Sequence, residues 1–418
     1  MSGDTTETSA RLMGDSMTRG MTSDETINTA LDFVRGHLGM EVGYLSEFIG
    51  EELVFRAVSA PGLEDMISVG DSMPLDAVYC RHILAGRLPE LIPDTAQLQL
   101  CQDIPLTHAI PIKSHASIPI RRPDGSVYGM FCCLSRSTRA DLNARDLEVM
   151  RAFAAISAEQ VNARLSIETT HADLRAQIAH MLDTQAFEVV YQPIMDAQQK
   201  LPKGFEALCR FQSDPYRPPN LWFDDARTVG LQAQLEVCVI EHALQALNHL
   251  PDTVYVSVNA SPDTVASGVL DDVFAAWPTE RIVLEVTEHT QASDEVALEK
   301  ALHKLRFTGV RLAIDDAGAG YSGLQQIVRL LPDIIKLDIS LTTKIDQDVV
   351  RRSLSAALVS FAKEIGADIV AEGIETGEEL LTLASLGVPL AQGYFLGRPD
   401  DLVAAAAWFT PADDAQQA

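Results

Sequence analysis

From about residue 185 onward the chain alternates short apolar segments with longer amphipathic ones, and this alternation constrains the fold more than any other feature. Strand-like segments fall at 189–194, 204–211, 254–259, 282–288, 311–316, 334–338, 368–374 and 390–396. Helical periodicity fills stretches between them, at 235–250, 294–308, 323–331, 349–365 and 377–386. Eight strands alternating with helices over roughly 230 residues predict an α/β fold, a (β/α)8 TIM-like barrel. The first connection, 195–203, is too short for a helix, so one irregular or antiparallel strand pair is expected there.

With 418 residues, the chain has room for a further domain ahead of the barrel. Residues 1–22 are polar and read as a flexible N-terminus. Ile27, Ala30, Leu31, Val34 and Leu38 then recur at helical spacing. Strand-like segments follow at 42–48, 52–58, 116–120 and 126–134, the last two joined through Asp124-Gly125, a hairpin signal. Helical spacing returns at 141–165 through Leu147, Met150, Ala154, Val161 and Leu165, and continues less regularly through Met181. This order predicts an α+β sensor-like domain over 23–165. A connecting helix is expected over 141–183, the barrel over 184–410 and a tail over 411–418.

The formal charge of −27 speaks against binding to nucleic acid polymers or anionic membranes. It leaves open a small phosphate-bearing ligand held through bound cations. No stretch approaches a membrane-spanning length, no secretory signal is visible, and a cytoplasmic protein without membrane insertion is expected. The six cysteines form no CxxC pair and read as buried, reduced thiols.

The C-terminal ends of the barrel strands carry the chemistry. In strand order they hold Glu206; Asn259; Glu285 and Glu288; Asp315-Asp316; Lys336 and Asp338; Glu372 and Glu375; and Gln392. Barrel enzymes assemble their catalytic residues at this face. A single carboxylate at a strand end is ordinarily a helix cap or a solvated loop residue. Carboxylates on five strands at once are not explained by packing, and they would repel one another unless cations neutralised them. Hard oxygen donors without Cys or His point to Mg²⁺ or Mn²⁺ rather than Zn²⁺. A carboxylate bridging two such ions suits in-line phosphoryl displacement.

Glu206-Ala207-Leu208 with Arg210 resembles the signature of the EAL-domain cyclic-di-GMP phosphodiesterases. Further matches run in family order: Tyr191-Gln-Pro-Ile194, Val258-Asn-Ala-Ser-Pro262, Leu284-Glu-Val-Thr-Glu288, Asp315-Asp-Ala-Gly-Ala-Gly-Tyr321, Lys336-Leu-Asp338, Ala371-Glu-Gly-Ile-Glu375 and Gln392-Gly-Tyr394. The resemblance implies metal-dependent hydrolysis of cyclic di-GMP to linear 5′-pGpG. It implies that Glu206, Asn259, Glu285 and Asp315 bind one divalent ion. Asp315 would bridge to a second, which Asp316 and Glu372 help hold. Lys336 would orient or help deprotonate the attacking water, Gln392 would help place it, and Arg210 would contact a substrate phosphate. Glu288 would brace the loop after the fifth strand, with Glu375 in a supporting role. Mg²⁺ or Mn²⁺ should sustain the reaction and Ca²⁺ should inhibit it. The rival reading is a catalytically inactive cyclic-di-GMP receptor or protein-interaction module. Such a protein would be expected to lack some of these residues, and here each is present.

The chain departs from the family pattern at Ala317, Ala319 and Gly323, where Phe, Thr and Ser are usual, and at Arg227, where Glu is usual. These positions bear on the loop and on the substrate entrance, and none is an implied metal ligand. The N-terminal segment resembles a GAF domain through Ile118-Pro-Ile120, Pro123-Asp-Gly125, Gly129 and Asp146. Its ligand is not legible, and it is expected to regulate the barrel. Cys80 and His82, in Tyr79-Cys-Arg-His82, read as a buried helix cysteine beside an exposed histidine rather than as a chromophore site. The stripe Leu147 to Leu165 predicts a homodimer through a partner helix, unless the stripe packs on its own sheet.

Overall fold

The computed structural model describes residues 20–199, 201–287, 293–317 and 321–410, with the side chains of 287, 316, 317 and 321–324 excepted. The first and last segments of the chain, Glu288, Ala319 and the side chains of Asp316, Ala317 and Gly323 lie outside the described residues. The chain divides into two compact units at Thr170/His171. The helix Ala144–Thr184 carries it from one into the other.

In the first unit, six antiparallel strands are ordered β3-β2-β1-β6-β5-β4. They are β1 Val42–Ile49, β2 Glu52–Ser59, β3 Ser72–Pro74, β4 Leu91–Ile92, β5 Ser114–Arg121 and β6 Val127–Ser135. The helix Ser23–Leu38 starts at a capping box between Thr22 and Glu25 and stops at Gly39, which takes the left-handed conformation. Ile27, Ala30, Leu31, Val34 and Leu38 are all buried against one face of the sheet. Met150, Phe153, Ala154 and Val161 of the long helix join the same core, with Leu147 and Leu165 partly buried against it. The stripe therefore packs on its own sheet, the intramolecular one of its two readings, and offers no reason for a dimer.

Alternate residues of β6 enter opposite cores. Phe131 and Cys133 face the helical side, while Met130, Cys132 and Leu134 face the short helices between β3 and β5. Covering both faces explains why β6 reads as a continuous apolar run. Cys80 is buried on the helix Tyr79–Leu84, whereas His82 is half-buried rather than exposed.

The second unit is a closed eight-stranded barrel. Its strands are β7 Phe187–Asp196, β8 Pro202–Phe211, β9 Tyr255–Asn259, β10 Ile282–Thr287, β11 Arg311–Ala317, β12 Ile334–Leu337, β13 Asp368–Ala371 and β14 Leu390–Ala391. β7 runs antiparallel to both β8 and β14, and every other pairing is parallel. The short link between β7 and β8 permits only this hairpin. The last two strands are shorter than their apolar runs suggest. Glu372 and Ile374 lie past β13, and Gln392 lies past β14, where backbone hydrogen bonds from Glu372 to Leu337 and from Ile374 to Gln392 tie the strand exits together. Among the described residues, no helix is long and apolar enough to cross a membrane.

Candidate active site

A strand sends every second side chain into the barrel, and two successive inward layers differ sharply in chemistry. Ile194, Tyr255, Val283, Ala313, Ile334, Val370 and Leu390 form one apolar layer. On β8 the matching position is Gly204, paired with Ile194 and Tyr255. A Cβ there would lie 2.4 Å from the Tyr255 ring, so glycine makes room for that ring in the floor. The next inward position along each strand, or just past it for Glu372 and Gln392, is polar: Gln192, Glu206, Ser257, Glu285, Asp315, Lys336, Glu372 and Gln392. β7 contributes in reverse order because it runs the opposite way.

Lys336 stands at the centre of this layer, 1% exposed. Its Nζ lies 2.6 Å from Glu285 Oε2, 2.7 Å from Glu372 Oε1, 3.1 Å from Asp315 Oδ1 and 3.4 Å from Glu206 Oε2. Gln392 Nε2 donates to Glu206 Oε2 at 2.7 Å and to Gln192 Oε1 at 3.0 Å. Asn259 Nδ2 donates to Glu206 Oε1 at 3.2 Å, and Ser257 Oγ donates to Glu285 Oε1. Gly373, at φ 64°, turns the chain immediately after Glu372. A Cβ there would also strike Ile339, 2.4 Å away.

Burial raises Glu285 well above the carboxylate range, reinforced by Glu206 and Asp315 and opposed by Lys336. Burial likewise pushes Glu372 up to about 8, with Lys336 pulling the other way. For Lys336, burial disfavours the charge, but the surrounding carboxylates outweigh it and hold the ammonium well above the lysine range. Four acids crowd one ammonium, and Glu285 and Glu372 relieve the repulsion by holding their protons to higher pH. Gln392 Oε1 is also buried without a hydrogen-bond donor. An all-oxygen donor set of crowded acids with an orphaned carbonyl oxygen fits a hard divalent cation, which would displace the protons held by Glu285 and Glu372. As the side chains stand, no group of three or more His, Cys, Asp or Glu among the described residues is disposed to hold an ion. Lys336 Nζ takes the central position, and an ion has to compete with it.

A cavity of about 360 Å³ opens on this layer, lined by Glu206, Asp315, Lys336, Glu372, Glu375 and Gln392 among others. Arg210 lies two residues beyond Leu208 on β8 and lines an adjoining cavity of about 190 Å³ with Leu208 and Asn259. Its Nη1 donates to the carbonyl of Cys209 at 2.9 Å. Arg227 pairs with Asp224 on its own helix at 2.8 Å, more than half exposed. A further cavity, about 580 Å³, belongs to the first unit. Its charged groups pair off locally, Arg56 with Glu47 at 2.6 Å and Arg164 with Asp24 at 3.6 Å, so they do not converge on a reacting centre.

The structure thus brings Glu206, Asn259, Glu285, Asp315, Lys336, Glu372 and Gln392 into one cluster. Two further members of the layer, Gln192 and Ser257, and one residue outside it, Glu236, were not anticipated from sequence. Gln192 was visible within Tyr191-Gln-Pro-Ile194, and Ser257 carried no signal beyond its strand position. Glu236 is buried and accepts from Ser261 N and Ser261 Oγ, both at 3.0 Å, which anchors the chain just past Asn259. Burial raises its carboxyl above the usual range.

The EAL domain family model matches residues 175–399 and the GAF domain model matches residues 22–161. The chain belongs to the EAL domain family. Its EAL domain is 29% identical over 223 residues to the probable cyclic di-GMP phosphodiesterase PdeD of Escherichia coli K12, covering 51% of this chain and 41% of that protein. It is also 29% identical over 245 residues to the cyclic di-GMP phosphodiesterase RocR of Pseudomonas aeruginosa, covering 56% of this chain and 62% of that protein. The crystal structure of an EAL domain protein from Listeria monocytogenes superposes with a TM-score of 0.51 at 26% identity, covering 56% of this chain and 97% of that one. This chain spans less than two thirds of the length of these curated relatives. The EAL barrel and the GAF domain coincide with the two units described above.

Proposed function

We propose that this protein hydrolyses one phosphodiester of cyclic di-GMP to give linear 5′-pGpG, under regulation by its GAF domain. The observation that carries this reading is the polar layer itself: Lys336 Nζ within 3.4 Å of Glu206, Glu285, Asp315 and Glu372, with Gln392 and Asn259 hydrogen-bonded to Glu206. Every role that the family resemblance implies at these positions has a side chain able to fill it.

Glu206, Asn259, Glu285 and Asp315 would hold one divalent ion, and Asp315, Asp316 and Glu372 a second. When bound, Mg²⁺ or Mn²⁺ supplies Lewis-acid polarisation of the phosphate and lowers the pKa of the attacking water. Lys336 donates hydrogen bonds that orient this water. Gln392 is fixed by Gln192 and Glu206 and helps place it. Arg210, at the rim of the adjoining cavity, meets a substrate phosphate. By the family resemblance, Glu288 would brace the loop that follows the strand carrying Asp315 and Asp316.

The deciding experiment incubates the full chain with cyclic di-GMP and Mg²⁺ and identifies the product by chromatography and mass. Linear 5′-pGpG is expected with Mg²⁺ or Mn²⁺ and not in excess chelator. Ca²⁺ should inhibit, since it prefers longer bonds and more ligands. Binding of cyclic di-GMP without turnover under all these conditions would instead establish the receptor reading.

A further inference from the structure

The GAF domain contains a buried polar cluster that packing alone does not require. Cys80, on the helix Tyr79–Leu84, faces Cys132 of β6 with the two sulfurs 3.9 Å apart, and both residues are wholly buried. Ser117 is the cross-strand partner of Cys132, and its Oγ lies 3.1 Å from the Cys132 sulfur. Tyr44 pairs with Cys132 from the other side, on β1. His115 stacks on Tyr79 with ring centroids 4.5 Å apart. It too is wholly buried, and neither ring nitrogen has a hydrogen-bond partner of normal geometry. Cys133 points into the opposite core and takes no part.

The cluster is polarised toward one sulfur. Burial opposes ionisation of Cys132, but Cys80, His115 and Ser117 together favour its thiolate and draw it down to about 5. Cys80, in contrast, is held as a thiol, first by its contact with Cys132 and then by burial. A nucleophilic sulfur and a protonated partner within 4 Å are the two halves of a resolving pair.

We propose that Cys80 and Cys132 form a reversible dithiol–disulfide centre inside the GAF domain, oxidised by a small hydroperoxide. The Cys132 thiolate attacks one peroxide oxygen. An S–O bond forms, the O–O bond breaks, and the departing hydroxide takes a proton to become water. The Cys80 sulfur then attacks the Cys132 sulfenic acid. The S–S bond forms, the S–O bond breaks, and the leaving hydroxide carries off the Cys80 proton as a second water. Two thiols lose two electrons and two protons, and one hydrogen peroxide becomes two waters. The sulfurs, 3.9 Å apart in the dithiol, have to approach to bonding distance for the disulfide to form. The resulting cross-link joins the helix Tyr79–Leu84 to the central strand β6.

The test treats the full chain with hydrogen peroxide, digests it without reduction and maps linked peptides by mass spectrometry. A Cys80–Cys132 disulfide that dithiothreitol reverses is expected. In Cys80→Ser the reaction should stop at a Cys132 sulfenic acid that dimedone traps. Circular dichroism checks that this variant is folded, and the wild-type peptide map stands without it. Oxidation of Cys132 in the wild-type chain only to sulfinic or sulfonic acid, linkage through another cysteine, or no oxidation at peroxide levels that convert exposed thiols would overturn the proposal.

Discussion

Lys336 pairs with four acids of the polar layer, so under the proposed mechanism its removal separates chemistry from binding. Lys336→Ala should lower kcat by roughly 10²- to 10⁴-fold, the range for losing an electrostatic or acid–base group. Because the ammonium competes with ions for the same carboxylates, the apparent Mg²⁺ affinity of this variant should not weaken. Calorimetric titration with Mg²⁺ beside steady-state kinetics measures both; near-full turnover would remove Lys336 from the mechanism. Glu206→Ala should instead lose turnover and metal affinity together, since Glu206 also fixes Gln392 and Asn259. Gln192 shows how a residue can be visible in a motif and still have its role hidden. Its partner Gln392 is 200 positions away, and only barrel closure joins them.

Among the elements, the strand layers decide where polarity is tolerated. The floor beneath the charged layer depends on Gly204, which admits the Tyr255 ring. Gly204→Ala should displace that ring and destabilise the EAL barrel by about 1–3 kcal/mol, the usual range for overpacking. Urea unfolding followed by tryptophan fluorescence reads this directly, and a stability unchanged from wild type would show that the floor can relax. In the GAF domain the same alternation runs through β6, which divides its side chains between two cores. Strand periodicity identified these elements, but not the short β3 and β4. At two or three residues these carry too few alternations to register, whereas the equally short β14 lies within a longer apolar run.

At the scale of the whole molecule, the crowded acids of the polar layer make stability depend on pH and on divalent ions. Glu285 and Glu372 are raised above their unfolded values, Glu372 from 4.5 to about 8. Between these two values the native state binds more protons than the unfolded state. In chelator, the stability of the EAL barrel should therefore fall as pH rises from about 5 to about 8. Mg²⁺ should flatten this dependence, and thermal melts across that range with and without the ion provide the comparison. All the proposed ligands lie in the second unit, so residues 171–418 alone should retain metal-dependent hydrolysis. The rate should change and any response to a GAF ligand should disappear. Coupling between linked sites is typically ~1–3 kcal/mol, about 5- to 150-fold. A folded barrel without activity where the full chain is active would make the GAF domain part of the active geometry.

The alternation of strands and helices after residue 185, the hairpin that opens the barrel and the acidic residues at successive strand ends were all legible in the amino-acid order. Each is a local property, set by side-chain period or by the length of a connection. Three facts were not legible. The last two strands end early because their pairing is limited by neighbours remote in sequence. The helical stripe from Leu147 to Leu165 is covered by its own sheet, since the face a helix buries depends on what packs beside it. Most of all, one lysine shared by Glu206, Glu285, Asp315 and Glu372 exists only once the barrel closes. Charge and burial at that point are sums over strands that sequence separates by tens of residues, and closure alone brings those terms together.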